Sequence, residues 1–542
     1  MFEWFFNLFH DEEEAEPQAL PTPDPQPVQS QNDGVARFLI GFGGSGSFIL
    51  ALYALFMLGN KLFRAARDRA DYQSPVIATV DMDAGSRGAS MMTRMAELIN
   101  AILKWDTGRV IGGPVRAVNA SVSQDMENST DENSIADMVR DDKAARDQIS
   151  VVLTPGEMAR PRKVGGYGIA RVVQMWTGAM LHTDTLEALS DSIIQAYRNG
   201  HKVVVSLAGA CIGATGATFL NAFSEAIYEG CRAVDPNRLG DLRIHNVVLL
   251  GYARHPVSDD IDDPIRLDSE EDGLRAANWI RNRQKEGIDQ KVARTYFVDA
   301  PAVTACEQYS FGGEQYRHFT LGDLYALLAI RESLETPFES MYDGNRIFLP
   351  RTAEVGESRV TWSSFEDERF ARSMVSSVRL AAFTWLKLRP MTVGVGDSEL
   401  RKAPHIRKLL GEEATVAQLA TVTRPLEALV ALSREVLIAA CEIASSGKDW
   451  SDPQSVFGNY DTVLFDPNLL QEILRGDMDG SEVNAFELDE LTRWELPGGK
   501  EKYAFDTGSL TVNQAYDKAV DKVGPGDTAA KFLLELYRAL CV

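Results

Sequence analysis

Cysteine is scarce and poorly placed to organise a fold. The five residues (Cys211, Cys231, Cys306, Cys441, Cys541) are odd in number and scattered, with no C-x-x-C pair. That pattern excludes a disulfide framework or a structural zinc site and fits a reducing, cytoplasmic setting. The seven histidines show no ligand spacing, so no His-based metal site is expected. No apolar run reaches the ~18 residues that a transmembrane helix needs. The nearest, FILALYALFML at 48–58, is too short, so no transmembrane segment is expected. The N-terminus has neither the basic segment nor the small-residue cleavage site of a secretory signal. Positive charge is also short, with 55 Lys and Arg against 78 Asp and Glu and a net charge of −23. General nucleic-acid binding needs a basic surface that neutralises phosphates, so that class is excluded. A small nucleotide held by backbone groups is not.

What remains is an ordinary globular composition, 45% hydrophobic and 25% charged over 542 residues. That length allows about three domains. The charge is unevenly spread. Residues 1–33 carry eight acids and no Lys or Arg, which leaves 70 acids against 55 bases, a net −15, for the rest. The chain opens with MFEWFFNLFH, in which Phe2, Phe5, Phe6 and Phe9 follow the spacing of one helix face and Trp4 and Leu8 widen it. Residues 11–34 are acidic, then proline-rich, and read as a disordered linker. An aromatic decapeptide on a solvated tether suits docking of residues 2–9 into the groove of a protein partner. Packing back on its own domain and lying on a membrane surface stay open. The acidic flank opposes contact with anionic lipid.

From Val35 onward, short apolar segments alternate with helical patterns. VARFLI, VIATV, KVVVSLA and RIHNVVLLG read as strands, several ending in glycine. This predicts an α/β fold with a mostly parallel, Rossmann-like sheet. Residues 88–160 read as polar and helical. Beyond about residue 345 the pattern changes to long amphipathic helices, 368–388 and 423–446. The expected division is 1–10 docking peptide, 11–34 linker, 35–345 nucleotide-binding domain and 346–542 helix-rich domain.

Two glycine-rich strand-to-helix turns carry the chemistry. GFGGSGS (41–47) puts the backbone N–H groups of Gly43, Gly44, Ser45, Gly46 and Ser47 at a helix N-terminus, where the dipole favours an anion. Gly41, Gly43 and Gly46 match G-x-G-x-x-G, and Asp81 or Asp83 after the next strand could accept from a ribose hydroxyl. The second turn, GACIGATGAT (209–218), supplies Gly213, Ala214, Thr215, Gly216, Ala217 and Thr218. Two such turns can clamp a polyphosphate from two sides, whereas a single dinucleotide normally needs one.

The set resembles the nucleotide-binding domain of the tubulin/FtsZ superfamily over about residues 36–256. IGFGGSGS resembles the first phosphate loop, VDMDAGS the following strand and its Asp-containing loop, and RKVGGYGIAR the loop that reaches the terminal phosphate. SLAGACIGATGAT resembles the family signature G-G-G-T-G-S/T-G, and VVLLGYARHP the next strand and its Arg-Pro turn. YSFGGEQYRHFTLGDLYALLAI resembles the loop and central helix that meet the base in divergent bacterial tubulin-like proteins. Ala214 and Thr218 stand where the family has glycine, which predicts a locally different loop. No Asn-x-Asp-x-x-Asp segment follows the central helix; TPFESMYDGN offers Glu339 and Asp343 at other spacings.

The resemblance implies GTP or GDP, with Mg²⁺, as the bound cofactor. It implies contacts from Gly43–Ser47 to the α/β-phosphates and from Gly213–Thr218 to the β/γ side. It places Asp81 and Asp83 by the ribose or a Mg²⁺ shell, and Gly165, Gly166, Gly168 and Arg171 by the γ-phosphate. Arg254 is placed by the ribose, and Gln315 and Tyr316 by the base. The implied protein is a GTPase that self-assembles into oligomers or filaments, or a nucleotide-stabilised scaffold. No catalytic residue is assigned. An NAD-binding Rossmann oxidoreductase is the alternative from another class.

Overall fold

Seven strands, all parallel, form the central sheet of the computed structural model. They are β1 (Val35–Phe42), β2 (Val76–Asp81), β3 (Arg116–Ser121), β4 (Lys202–Ala210), β5 (Leu242–Leu249), β6 (Arg294–Val298) and the short β7 (Arg346–Phe348). Their spatial order is β3-β2-β1-β4-β5-β6-β7. The structure describes residues 34–66, 74–81, 87–103, 115–121, 184–211, 214–250, 294–298, 318–336, 359–365, 367–445, 461–492 and 510–541, with short pieces elsewhere. The N-terminal peptide (1–10) and nearly all of the linker lie outside these residues.

The strands read as apolar runs because both faces of the sheet are covered. In β1, Leu39 belongs to one core and Phe38 and Ile40 to the other, following the period of two. Helices α3 (Asp184–Arg198) and α4 (Ala214–Val234) cover the Phe38 face. The Leu39 face is covered by α1 (Gly43–Ala66), α2 (Arg87–Leu103) and α5 (Leu321–Glu335). Beyond residue 345, α6 (Glu368–Phe383), α7 (Pro404–Leu410), α8 (Val416–Ser445), α9 (Pro467–Arg475), α10 (Val512–Val520) and α11 (Ala529–Cys541) contribute to the same core as α1, α2 and α5.

That second layer explains the composition of α1. Its Gly43–Leu62 stretch is the one helix among the described residues long and apolar enough to cross a membrane, and 94% of its most apolar window is buried in the protein. A helix buried on all sides is apolar on all sides. Here α1 lies between the sheet and helices α2, α6 and α11. At Gly59 the approach of α6 is close enough that an added Cβ would collide with the Ser377 hydroxyl.

Two elements depart from the sequence reading. Arg346–Phe348, at the start of the region expected to be helix-rich, is β7 of the central sheet. Residues 88–160 do not read as containing a strand, yet Arg116–Ser121 pairs with β2 in register, Asp81 opposite Ser121. Among the described residues β3 is an end strand, and its sequence RAVNAS holds little that a buried strand would need.

Candidate functional site

The strand order places the site. β1 and β4 are neighbours, Gly41 opposite Ala208, and the chain winds outward from them in opposite directions. Such a switch point leaves a crevice beyond the carboxyl ends of the two strands, where open α/β sheets bind ligands. Both glycine-rich turns lie there. β1 ends at Phe42 and α1 starts at Gly43; β4 ends at Ala210 and α4 starts at Ala214.

The glycines divide by role. Gly43 has φ +70°, a conformation that costs glycine nothing. Gly46 serves close packing: an added Cβ would sit 2.6 Å from the Ala208 carbonyl oxygen and 2.9 Å from the Gly41 carbonyl carbon. Gly216 repeats this on the second turn, 2.7 Å from the backbone nitrogen and oxygen of Ala210. These are the glycines that let α1 rest on β1 and β4 and α4 rest on β4. Gly44 is half-buried, and Ser45 and Ser47 are buried.

A third helix N-terminus joins the first. An added Cβ on Gly88, in the first turn of α2, would lie 2.8 Å from the Phe48 nitrogen and 2.9 Å from the Ser47 Cβ. None of α1, α2 and α4 carries an acid in its first turn. No side chain of their own first turns therefore neutralises these dipoles, which favour an anion. The Ser47 hydroxyl is fully buried and, among the described residues, has no hydrogen-bond partner. A buried hydroxyl in that state costs stability unless something else bonds it. Asp81 is buried at the end of β2.

Other candidates are only partly placed. Ala214, Thr215, Ala217 and Thr218 form the first turns of α4 in backbone. Thr218 lies inside the helix, where no positive φ is needed, so the strain expected from replacing glycine there does not arise. Arg254 lies in a two-residue strand paired with Thr304–Ala305. Asp83, Gly165, Gly166, Gly168, Arg171, Gly213, Gln315 and Tyr316 lie outside the described residues. Glu339 and Asp343 do too.

Two features were missed in sequence. Arg87 opens α2 and is exposed, one residue before Gly88. A cation in the first turn of a helix opposes the dipole, and that oddity was the available signal. The second is the Ser47 hydroxyl, whose lack of a partner is a tertiary fact. Lys61, the buried lysine of α1, is pushed down to about 8 by burial. It lies 14 residues past Ser47, roughly 21 Å along the helix, too far to serve the turn. Among the described residues no group of three or more His, Cys, Asp and Glu could hold a metal.

No family model matches the chain, and no curated protein matches its sequence.

Proposed function

We propose that the chain is a guanine-nucleotide-binding protein of the tubulin/FtsZ type, acting as a nucleotide-stabilised scaffold or self-assembling GTPase. One observation carries the reading: two glycine-lined strand-to-helix turns flank the switch point side by side. A triphosphate has charge enough to occupy both. Backbone N–H groups of Gly43–Ser47 would hold one side and those at the start of α4 the other. This binds an anion without a basic patch, as an acidic chain requires. The buried Ser47 hydroxyl and the bare first turns of α1, α2 and α4 fit a phosphate group. Asp81 and Ser47 offer hard oxygen donors, the kind Mg²⁺ takes alongside phosphate oxygens. The bound metal would neutralise phosphate charge. With no Asn-x-Asp-x-x-Asp segment, the scaffold form is favoured over assembly-coupled hydrolysis. The N-terminal aromatic peptide would recruit a protein partner.

A dinucleotide is the second reading, and two observations favour it. The order β3-β2-β1-β4-β5-β6 is that of dinucleotide-binding sheets, and Asp81 ends β2 where a ribose-binding acid sits. Mass spectrometry of the small molecule released from purified protein separates the two. GTP or GDP is expected, and NAD would overturn the guanine-nucleotide reading. Should nothing be released, calorimetric titration with GTP, GDP and NAD decides. Pelleting with and without GTP then distinguishes a filament former from a scaffold.

A further inference from the structure

We propose that Glu442 of α8 is a positioning residue that couples the helical layer to the first glycine turn by fixing Phe319 against Phe48. The coupling to a nucleotide rests on the phosphate-site reading above; the mechanical coupling does not.

The contact is specific. One carboxylate oxygen of Glu442 accepts from the Phe319 backbone N–H at 2.9 Å, and the other lies 3.1 Å from His318 Nδ1. Both residues immediately precede α5. Its N-terminus is already closed by a reciprocal capping box between Thr320 and Asp323. The bond to Phe319 therefore lies ahead of the cap, and its consequence is to fix where the Phe319 ring sits. That ring meets the edge of Phe48, centroids 5.8 Å apart and planes at 66°, with both residues buried. Phe48 follows Ser47 directly in the chain.

The same helix reaches the turn a second way. α8 packs along α2, and α2 presses Gly88 against Ser47 and Phe48. The α2 route is apolar and close-packed. The Glu442 route is a charge-assisted bond from a mostly buried carboxylate, so it has one geometry and can be removed by one substitution. Elements that both a ligand and a distant layer restrain are coupled reciprocally.

Hydrogen exchange of the ligand-free full chain, read on peptides covering residues 41–52, tests the mechanical part. Glu442→Ala is expected to speed exchange there about fivefold or more. Glu427→Ala, an exposed site on the same helix, should leave it unchanged. Glu442→Gln keeps an oxygen that can accept the Phe319 N–H and should restore most of the protection. Phe319→Leu, which removes the ring contact without the polar change, should open the same peptide. Equal exchange in Glu442→Ala and Glu427→Ala would overturn the proposal, as would a rise just as large in α3.

Calorimetric titration with GDP and GTP is the second arm. Glu442→Ala should weaken binding about fivefold, and ligand should slow exchange at residues 318–321 in the unmodified chain. Unmodified binding in Glu442→Ala overturns the coupling. If the unmodified chain binds neither nucleotide, the phosphate-site reading falls, and the exchange arm still decides the role of Glu442.

Discussion

The two ends of the central sheet hold opposite chemistries. At the carboxyl ends of β1 and β4 lie glycines, buried serines and helix N-termini without acids. At the amino-terminal ends of β1, β4, β5 and β6 lie four cations, Arg37, Lys202, Arg243 and Arg294. Charge alone would suggest the second end as the anion site. The contacts say otherwise. Arg37 Nε donates to the Leu334 carbonyl at 3.0 Å, and Arg294 pairs with Glu332 at 3.0 Å. Arg243 donates to the Phe338 carbonyl and stacks over its ring at 4.6 Å, with the Lys202 ammonium 5.2 Å from the same ring. These cations tie down the last turn of α5 and the residues after it, where carbonyls and the dipole favour positive charge. Cations here hold the fold, and the candidate anion site is made of backbone.

The largest expected effect is at the glycine end. Gly46→Val puts side-chain atoms into the Ala208 carbonyl, which is backbone and cannot swing aside. Overpacking of this kind should cost more than about 3 kcal/mol or abolish folding. Urea unfolding reads it directly, and stability like that of the unmodified chain would mean the turn is not packed against β4. Gly46 is for the same reason a poor place to test ligand binding.

Next is the pH response of the cationic end. Burial, then Arg243 and Arg294, push His245 down from 6.5 to about 3. Below the unfolded value the unfolded chain binds a proton that the folded chain refuses. The stabilisation from neutral His245 is therefore complete above about pH 6.5 and is lost as pH falls toward 3, at about 1.4 kcal/mol per pH unit. Urea unfolding at pH 7 and pH 5 should show His245→Gln losing less stability than the unmodified chain over that interval. Identical losses would show that His245 titrates normally.

Arg294→Leu should cost less, about 1–2 kcal/mol, because it leaves Glu332 partly buried without its cation. It should also raise the His245 pKa, since one repelling charge is gone. Nucleotide affinity should not change. A Kd shift as large as tenfold would mean that the two ends are not the separate devices described above.

The glycine end was largely legible in the sequence and the cationic end was not. GFGGSGS and GACIGATGAT announce themselves because glycine after an apolar run has few other meanings. Which glycine packs and which faces a ligand was not legible, since the partner of Gly46 is Ala208, far along the chain. Arg37 reads as one more strand residue until its bond to Leu334, 297 positions away, is seen. β3 was missed because RAVNAS at the sheet's end lacks the apolar run that revealed β4. α1 was legible as a helix, while the reason for its all-round apolarity required the α6 and α11 layer packed on it.

The smallest expected effect is the most discriminating one. Ser47→Ala removes a fully buried hydroxyl that has no partner among the described residues. In a merely structural turn, that change relieves an unsatisfied polar group and nothing more. Stability of the ligand-free chain should then hold or rise by roughly 0.5–1 kcal/mol. If the hydroxyl instead waits for a phosphate oxygen, the same substitution weakens GTP and GDP binding by about fivefold to tenfold, the worth of one net hydrogen bond. Stability and affinity would move in opposite directions. Packing alone does not produce that signature, because a packing defect lowers both. Thermal melts of the ligand-free chain and calorimetric titrations on the same preparation measure the pair. Affinity unchanged in Ser47→Ala would remove the serine from the site and leave the backbone N–H groups to carry it.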